Sequence, residues 1–249
     1  MKVTILHLLK QRARQFFLLL NWPVTRNLKY DILTKKILDR ELHTDSNCID
    51  VGAHKGEILD IFLDKASRGR HSAFEPIPEF NKNLQTKYAG RAHVFPCALS
   101  DRSGTMLFNV VLDDPAYSGL KKRSYKTASP TIESIEVEVR LLDEALRDRD
   151  YTIHLIKIDV EGGELDVLKG ATEILKKDKP LLLFEFGKGA SEYYGTMPHH
   201  MFELLDALNY SIRTLDGFWK KTTALTSEQL RTIYESGSDY YFVAGYRKT

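Results

Sequence analysis

The chain lacks several features that would each point to a class of function. It has only two cysteines in 249 residues, Cys48 and Cys97, and they lie in apolar runs without metal-ligand spacing. We therefore expect reduced core thiols rather than a disulfide framework. The net charge of +2 creates no overall field that would call for nucleic acid. Repeats and low-complexity segments are absent, so the remaining interpretation is one ordinary α/β domain.

The sequence also lacks an apolar run of the roughly 20 residues needed to span a bilayer. In the segment 1–23, Lys10, Arg12 and Arg14 interrupt the apolar stretches, and there is no small-residue cleavage site of a signal peptide. The segment predicts a basic amphipathic helix that either packs on the domain, which we favour, or lies on a membrane surface. We expect a cytoplasmic protein, with peripheral membrane association as the alternative, and with a helical segment over 1–40 and one domain over 41–249.

From Asn47 onward, short β-rich runs alternate with helical patterns, which predicts a mostly parallel sheet flanked by helices. The runs are 48–53, 72–76, 92–100, 153–162, 181–186, 210–215 and 240–246, and helices are predicted at about 56–67, 78–89, 163–176, 198–208 and 226–235. The alternation breaks at 101–150, where two extended segments flank a long polar connector. Such a connector predicts an insert or lid that serves a ligand.

The stretch CIDVGAHKGE, residues 48–57, indicates where the ligand would bind. A strand that runs into a glycine turn and then a helix presents free backbone N–H groups at the edge where open α/β sheets bind ligands. Gly52 would permit close approach of the ligand, and Gly56 would remove a Cβ where the helix begins. The G-x-G-x-x-G spacing of a dinucleotide site is absent, which disfavours an NAD-dependent oxidoreductase.

Two carboxylates narrow the choice of ligand. Asp50 would repel a pyrophosphate but would favour a ligand with an ammonium or sulfonium. Glu75, at the end of the next strand, is placed to accept hydrogen bonds from a ribose diol. A ribose joined to a cation describes S-adenosylmethionine. Alternatively, Asp50 is a turn or N-cap residue and Glu75 a solvated strand end.

Four motifs in order resemble the FkbM family of S-adenosylmethionine-dependent methyltransferases. They are CIDVGAHKGE, AFEPIPEFNKNL, CALSDRSGTMLF and LIKIDVEGGELDVLKGA, followed by PLLLFEF, and the resemblance covers about 47–187. His54 stands where many relatives have Asn.

The resemblance implies a Rossmann-like class I methyltransferase fold: a mostly parallel seven-stranded sheet, an antiparallel last strand and helices on both faces. The domain over 41–249 would be the methyltransferase domain. It also implies that the cofactor lies over 50–56, including Ala53 and His54, with its ribose on Glu75 beside Pro76. Its adenine would lie near Ala98, Leu99 and Ser100. The implied activity is O-methylation, often of a sugar hydroxyl in a polysaccharide, glycolipid or natural product.

Residues for the chemistry are predicted at the end of the fourth run, KIDVEG. Asp159 and Glu161 alternate along an extended strand, so both would project to one side. They could orient or deprotonate the acceptor hydroxyl, or together hold a divalent cation; Glu161 could equally begin the next helix. Lys157 would face the other way and is interpreted as structural. Glu185, at the end of its strand, would face the same rim.

Other candidates come from less regular segments. His200, or its neighbour His199, is a candidate general base because the ordinary pKa of histidine is near neutral; two exposed histidines at a helix start are the alternative. The basic stretch 121–126 could clamp an anionic acceptor, although a solvated charge run is the commoner case. The expected partner is a small-molecule or glycan acceptor. A catalytically inactive S-adenosylmethionine sensor or scaffold remains the alternative function.

Overall fold

The structure is a computed structural model that describes residues 24–125 and 129–247. The amphipathic helix predicted over 1–23 lies outside these residues, as does Lys126 of the basic stretch. None of the helices in the described part of the chain is long and apolar enough to cross a membrane.

A seven-stranded sheet forms the centre of the domain. Its strands are β1 (Cys48–Val51), β2 (His71–Phe74), β3 (Ala92–Phe95), β7 (Leu155–Ile158), β8 (Leu181–Glu185), β9 (Tyr210–Thr214) and β10 (Tyr241–Tyr246); β4 to β6 form a second sheet described below. The strands lie in the order β3-β2-β1-β7-β8-β10-β9. All neighbours pair in parallel except β10, which runs antiparallel to both β8 and β9. This confirms the mostly parallel seven-stranded sheet with an antiparallel last strand that the resemblance implies.

Helices cover both faces of this sheet, and each face has its own apolar cluster. They are α1 (Arg26–Glu41), α2 (Glu57–Lys65), α3 (Pro78–Lys87), α4 (Leu142–Ala145), α5 (Glu164–Lys169), α6 (Thr172–Asp178), α7 (Pro198–Ala207), α8 (Leu215–Trp219) and α9 (Ser227–Ser236). One cluster draws on α1, α2 and α8, and the other on α5, α6, α7 and α9. The helix predicted over 163–176 is two helices that meet near Gly170. A Cβ on Gly170 would lie 2.1 Å from the carbonyl oxygen of Ser100, so the close approach there requires glycine.

Helix α1 is the described part of the predicted helical segment over 1–40. The hydroxyl oxygen of Thr25 accepts a hydrogen bond from the backbone N–H of Leu28 and caps its first turn. Ile37 and Leu38 are fully buried in the cluster that α1 shares with α2 and α8. The helix therefore packs on the domain over its described length.

A second, three-stranded sheet occupies the region predicted as an insert. It consists of β4 (Cys97–Leu99), β5 (Gly104–Val111) and β6 (Ile132–Arg140) in the order β4-β6-β5. The prediction of one run over 92–100 was wrong: Pro96, which has no N–H to donate, separates β3 from β4, and the two strands belong to different sheets. The two extended segments predicted after residue 100 are confirmed as the antiparallel pair β5–β6.

Candidate active site

A cavity of about 800 Å³ opens at the carboxyl ends of the central strands, where parallel α/β sheets bind their ligands. It brings together most of the residues that the sequence singled out. Those that line it are Gly52, Ala53, His54, Glu75, Pro76, Ala98, Leu99, Ser100, Asp159, Glu161 and Glu185. Three of the predicted site residues do not line it, namely Asp50, Gly56 and His200.

The two glycines of the turn are required by packing within the protein. Gly52 has a φ of +76°, and a Cβ there would lie 1.9 Å from the carbonyl oxygen of Asp159. Gly56 has a φ of +79°, and its Cβ would lie 2.3 Å from the hydroxyl of Tyr88. That hydroxyl donates a hydrogen bond to the carbonyl oxygen of Gly56. Gly52 lines the cavity as predicted, whereas Gly56 lets α2 begin against Tyr88.

Asp50 lies beneath the site and is fully buried. It is the β1 neighbour of Lys157 on β7, and the Nζ of Lys157 is 3.3 Å from its Oδ1. Burial raises the pKa of Asp50 against the opposing effect of Lys157. The structure therefore does not bring Asp50 to the cavity wall, where a cationic ligand could meet it; the positive charge that it contacts is Lys157.

Lys157 was expected to face away from the site, but its long side chain reaches the strand ends and lines the cavity. Its Nζ donates a hydrogen bond to the carbonyl oxygen of Gly52, 3.1 Å away. It lies between two carboxylates, with the Oδ2 of Asp159 at 3.7 Å. Burial lowers the pKa of Lys157, but Asp50 and Asp159 together raise it above its ordinary value. Lys157 is therefore a cation fixed between the two strands.

Glu75 is held in place by the backbone around it. One carboxylate oxygen accepts a hydrogen bond from the backbone N–H of His54 at 2.8 Å, and the other accepts one from that of Ile77 at 2.9 Å. Glu75 is only 4% exposed, and burial raises its pKa to about 7 although the two N–H groups lower it. Each oxygen retains a lone pair for a further donor. Glu75 can therefore accept hydrogen bonds from a ligand in the cavity.

His54 occupies an unusual backbone position with its ring in the cavity wall. Its φ is +48°, and its ring packs edge-on against Phe80 with the centroids 4.6 Å apart. Burial, followed by the charge of Lys55, lowers the pKa of His54. Its Nε2 is buried and has no hydrogen-bond partner within the described residues.

Asp159 follows the last residue of β7, at the same carboxyl edge of the sheet as Glu75 but across β1 from it. Its backbone N–H donates to the carbonyl oxygen of Val51, which fixes the residue at the strand end. Besides Lys157, the hydroxyl of Tyr241 contacts the carboxylate, donating to Oδ2 at 3.5 Å. The structure thus brings Asp159 to the cavity and surrounds it with the cation of Lys157, the phenol of Tyr241 and the carboxyl group of Glu185.

Glu185 lines the same side of the cavity, as the sequence predicted. Burial raises its pKa well above the ordinary value, and the nearby carboxylates of Asp159 and Glu161 raise it further. Burial likewise raises the pKa of Glu164 to about 7. The Oε1 of Glu164 accepts hydrogen bonds from the backbone N–H groups of Val160 and Gly162, both at 3.1 Å. This side of the site is therefore rich in carboxylates that are costly to ionise.

Glu161 ties the connector between β5 and β6 to the site. It has a φ of +60° and forms an ion pair with Arg123, whose side chain is 8% exposed. Burial and Asp159 raise the pKa of Glu161 more than Arg123 lowers it. The guanidinium of Arg123 also lies 4.8 Å from the ring centroid of Tyr117. Glu161 thus lines the cavity, as predicted, while holding the segment above it.

Further contacts hold the connector across the cavity. Asn109 and Gly119 form an antiparallel bridge, and the backbone N–H of Lys121 donates to the hydroxyl of Tyr194 at 3.2 Å. Connector residues line one wall of the cavity: Pro115, Ala116, Ser118 and Leu120. The described connector residues therefore form part of the cavity wall; we call 113–125 the lid, and its service to a ligand stays a prediction. The described basic residues of 121–125, however, do not line the cavity, and Arg123 is paired with Glu161.

His200 is placed away from the cavity at the start of α7. Its Nδ1 accepts a hydrogen bond from the backbone N–H of Met197 at 3.1 Å and so caps the helix. The ring is exposed and lies beside that of His199, with the centroids 4.0 Å apart. A helix cap explains the histidine here, and it does not reach the residues around Asp159.

No group of three or more His, Cys, Asp or Glu side chains within 24–125 and 129–247 is arranged to hold a metal ion. Two free cysteines are buried as expected, and Cys97 also lines the cavity.

The charge of the cavity wall decides which cofactor it fits. Among the described lining residues, seven are acidic and three are lysines. The acidic residues are Asp31, Glu57, Glu75, Asp159, Glu161, Asp166 and Glu185, and the lysines are Lys35, Lys55 and Lys157. An acidic wall disfavours a pyrophosphate and suits a cationic sulfonium. Together with the backbone-held carboxylate of Glu75, it fits S-adenosylmethionine.

Comparison with protein families decides the identity. The Methyltransferase FkbM domain matches residues 50–212, which is more than half of the chain and contains β2, β7, β8 and the lid. The chain belongs to the FkbM methyltransferase family. It is therefore an S-adenosylmethionine-dependent methyltransferase.

Individual FkbM relatives are distant. The 2-O-methyltransferase NoeI of Sinorhizobium fredii is 27% identical over 72% of this chain and 77% of its own length. The methyltransferase SdnD of Sordaria araneosa is 28% identical over 50% of this chain and 60% of its own length. A solved FkbM methyltransferase from Methylobacillus flagellatus is 19% identical with a TM-score of 0.49, and the match covers 82% of this chain and 44% of that one.

Sequence reasoning missed several residues at or beside this FkbM site. Tyr240 and Tyr241 lie at the start of the last strand, and Tyr30 belongs to α1, yet all three line the cavity. The aromatic run at the last strand could have suggested the first two, since β10 lies beside β8. Arg123 lies in an irregular connector, where no periodicity indicates which way a side chain points.

Proposed function

We propose that this protein is an O-methyltransferase whose acceptor is a hydroxyl group, with a sugar as the acceptor class. The observation that carries the proposal is the convergence of Asp159, Lys157 and Tyr241 on one side of the cavity, beside Gly52 and across β1 from Glu75. A hydroxyl needs an oriented proton acceptor, and a carboxylate at this position supplies one. The 2-O-methyltransferase name of the relative NoeI supports the same reaction type.

The cofactor half of the site is the turn after β1 and the end of β2. Gly52 and Ala53 would bring backbone close to the cofactor, and Glu75 would accept hydrogen bonds from its ribose diol. Ala98, Leu99 and Ser100 form the wall that would take the adenine. When bound, S-adenosylmethionine supplies a methyl group on a sulfonium, so that a C–O bond forms as the S–C bond breaks.

In the acceptor half, the protein positions the hydroxyl and takes its proton. The carboxylate of Asp159 accepts a hydrogen bond from the acceptor hydroxyl. As the methyl group is transferred, the same carboxylate takes the proton of that hydroxyl. Lys157 and the hydroxyl of Tyr241 hold that carboxylate in a fixed orientation. The lid, tied down by Arg123 and Glu161, excludes water that would compete with the acceptor.

The test is transfer of labelled methyl groups to a panel of mono- and oligosaccharides, with the product linkage read by NMR. Asp159→Asn should lower kcat by about 10²- to 10⁴-fold, the usual contribution of acid–base catalysis. Its affinity for S-adenosylhomocysteine should stay close to that of wild type, because Glu75 and not Asp159 would contact the ribose. A difference of up to about twofold, or about 0.4 kcal/mol, counts as unchanged. Asp166→Asn, at another cavity-lining aspartate, is the matched control. Unchanged turnover in Asp159→Asn would remove Asp159 from the mechanism.

A further inference from the structure

The acceptor half of the cavity has a charge pattern that selects among hydroxyl compounds. It lies at the ends of β7 and β8 and the start of β10, and three of its lining carboxylates are Asp159, Glu161 and Glu185. Cations are fewer. Lys157 is shared by Asp50 and Asp159, and Arg123 is paired with Glu161.

Glu185 has no ion pair within the described residues, and the side chain with which it shares a hydrogen bond is another carboxyl group, that of Asp159. Its neighbours Asp159 and Glu161 are also acidic, and these charges with burial keep its pKa raised. A positively charged ligand group beside Glu185 would remove this unfavourable interaction, whereas a phosphate or carboxylate would add to it.

Aromatic rings lie on the same side of the cavity. Tyr30, Tyr240 and Tyr241 line it, with the ring of Tyr30 4.8 Å from that of Tyr240 and 5.9 Å from that of Tyr241. Tyrosine faces combined with a carboxylate are a recurring way to bind an ammonium group, and rings also pack against the apolar faces of sugars. The cluster therefore suits a ligand that is both ring-shaped and cationic.

We infer that the acceptor carries a protonated amine close to the hydroxyl that is methylated, as in an amino sugar, and that Glu185 binds this amine. The inference rests on the proposed O-methyltransferase function and adds the charge class of its substrate. It replaces the expectation that the basic stretch 121–126 clamps an anionic acceptor, because Arg123 is already paired with Glu161. The excess of carboxylates over cations in the acceptor half has a second explanation, which is that they bind the sulfonium of the cofactor. The experiment must separate binding of an acceptor amine from binding of the sulfonium.

The experiment measures binding to the full chain saturated with S-adenosylhomocysteine, using glucosamine, glucose and glucose 6-phosphate as matched probes. Saturation-transfer NMR gives the three affinities without requiring turnover. We expect glucosamine to bind most tightly and glucose 6-phosphate most weakly. Glu185→Gln should lower the affinity for glucosamine by about tenfold while changing that for glucose little, because a charge-assisted hydrogen bond is lost. Tyr241→Phe, which keeps the ring, should retain the preference for glucosamine.

The sulfonium explanation is tested in the same proteins by titrating S-adenosylmethionine and S-adenosylhomocysteine, which differ in the charge on sulfur. The inference expects the ratio of their affinities to be the same in wild type and Glu185→Gln. The inference would be overturned if Glu185→Gln lowered the affinity for S-adenosylmethionine relative to S-adenosylhomocysteine and left glucosamine binding unchanged. It would also be overturned if wild type bound glucose 6-phosphate more tightly than glucosamine, or bound glucosamine no more tightly than glucose. Binding of S-adenosylhomocysteine by both proteins shows that they are folded. Transfer to a neutral or phosphorylated sugar in preference to an amino sugar would overturn the inference alone, whereas absence of transfer to any hydroxyl would overturn the proposed function.

Discussion

The two halves of the cavity are built in different ways. The half at β1 and β2 is fixed by backbone: Gly52 occupies a left-handed conformation against the carbonyl of Asp159, and two N–H groups hold Glu75. The half at β7, β8 and β10 is fixed by side-chain charge, with Lys157 between two carboxylates. A backbone-built half suits the cofactor, and a side-chain-built half suits an acceptor that is selected by its charge.

The largest effect should follow from altering the backbone-built half. Gly52→Ala places a Cβ 1.9 Å from the Asp159 carbonyl oxygen and forces alanine into a φ of +76°. We expect the free energy of unfolding to fall by about 3 kcal/mol or more, from overpacking plus left-handed strain. Urea denaturation measures the change. Gly90→Ala is the matched control, because its φ is +72° but no atom lies within 4 Å of the added Cβ. A similar loss in both variants would show that the close approach to Asp159 is unimportant.

The next effect concerns Glu75 itself. Glu75→Gln removes the negative charge that a ribose diol would contact. The amide oxygen of the glutamine can still accept a hydrogen bond from one of the two backbone N–H groups that hold Glu75. We expect the affinity for S-adenosylhomocysteine to fall by about tenfold or more, since hydrogen bonds to a charged group contribute about 1.5–3 kcal/mol. Calorimetric titration measures this. Glu79→Gln, on an exposed position of α3, should bind like wild type. Equal binding by Glu75→Gln would place the ribose elsewhere.

The same carboxylate should make cofactor binding depend on pH. The pKa of Glu75 is raised to about 7, and donors on a ligand favour its ionised form. Affinity for S-adenosylhomocysteine should therefore rise severalfold between about pH 6 and 8, and this rise should be absent in Glu75→Gln. In the free protein the sign is opposite: the folded state holds a proton that the unfolded state has released. Glu75 therefore lowers stability as pH rises from the ordinary value of 4.5 to about 7. A flat binding profile in wild type would contradict the assignment.

The smallest effect should come from the lid. Arg123→Gln breaks the ion pair with Glu161 and the contact with the ring of Tyr117. We expect amide hydrogen exchange in 113–125 to become severalfold faster, with little change in S-adenosylhomocysteine affinity, since Glu75 and its two backbone donors lie outside the lid. Arg102→Gln, at an exposed position before β5, is the control. Unchanged exchange would show that other contacts, such as that of Lys121 with Tyr194, hold the lid.

The same contrast explains how much could be predicted from the sequence. The strand–glycine–helix turn and Glu75 follow from local pattern, because backbone conformation and strand ends are encoded within a few residues. The seven-stranded topology, with β10 antiparallel, was confirmed. Lys157 was misassigned because alternation predicts where a Cβ points but not how far a long side chain reaches.

Long-range contacts account for the other differences. Asp50 was expected in the ligand site, but its partner Lys157 is distant in the chain and becomes its neighbour only when β1 pairs with β7. Gly56 was assigned to the ligand, yet Tyr88 at the far end of α3 requires it. His200 was chosen for its chemistry alone, and its ring serves as a helix cap. The positions of Asp50 and Gly56 depend on contacts between residues that are distant in the chain, and a local sequence pattern does not reveal such contacts.

The central claim is that cofactor and acceptor occupy different halves of one cavity. A crystal structure of the chain with S-adenosylhomocysteine tests it most directly. The ribose hydroxyls should lie within hydrogen-bond distance of Glu75, with the sulfur directed towards Asp159 and away from Glu185. A ligand seated among Tyr30, Tyr240 and Glu185, with Glu75 bound only to its two backbone N–H groups, would contradict it.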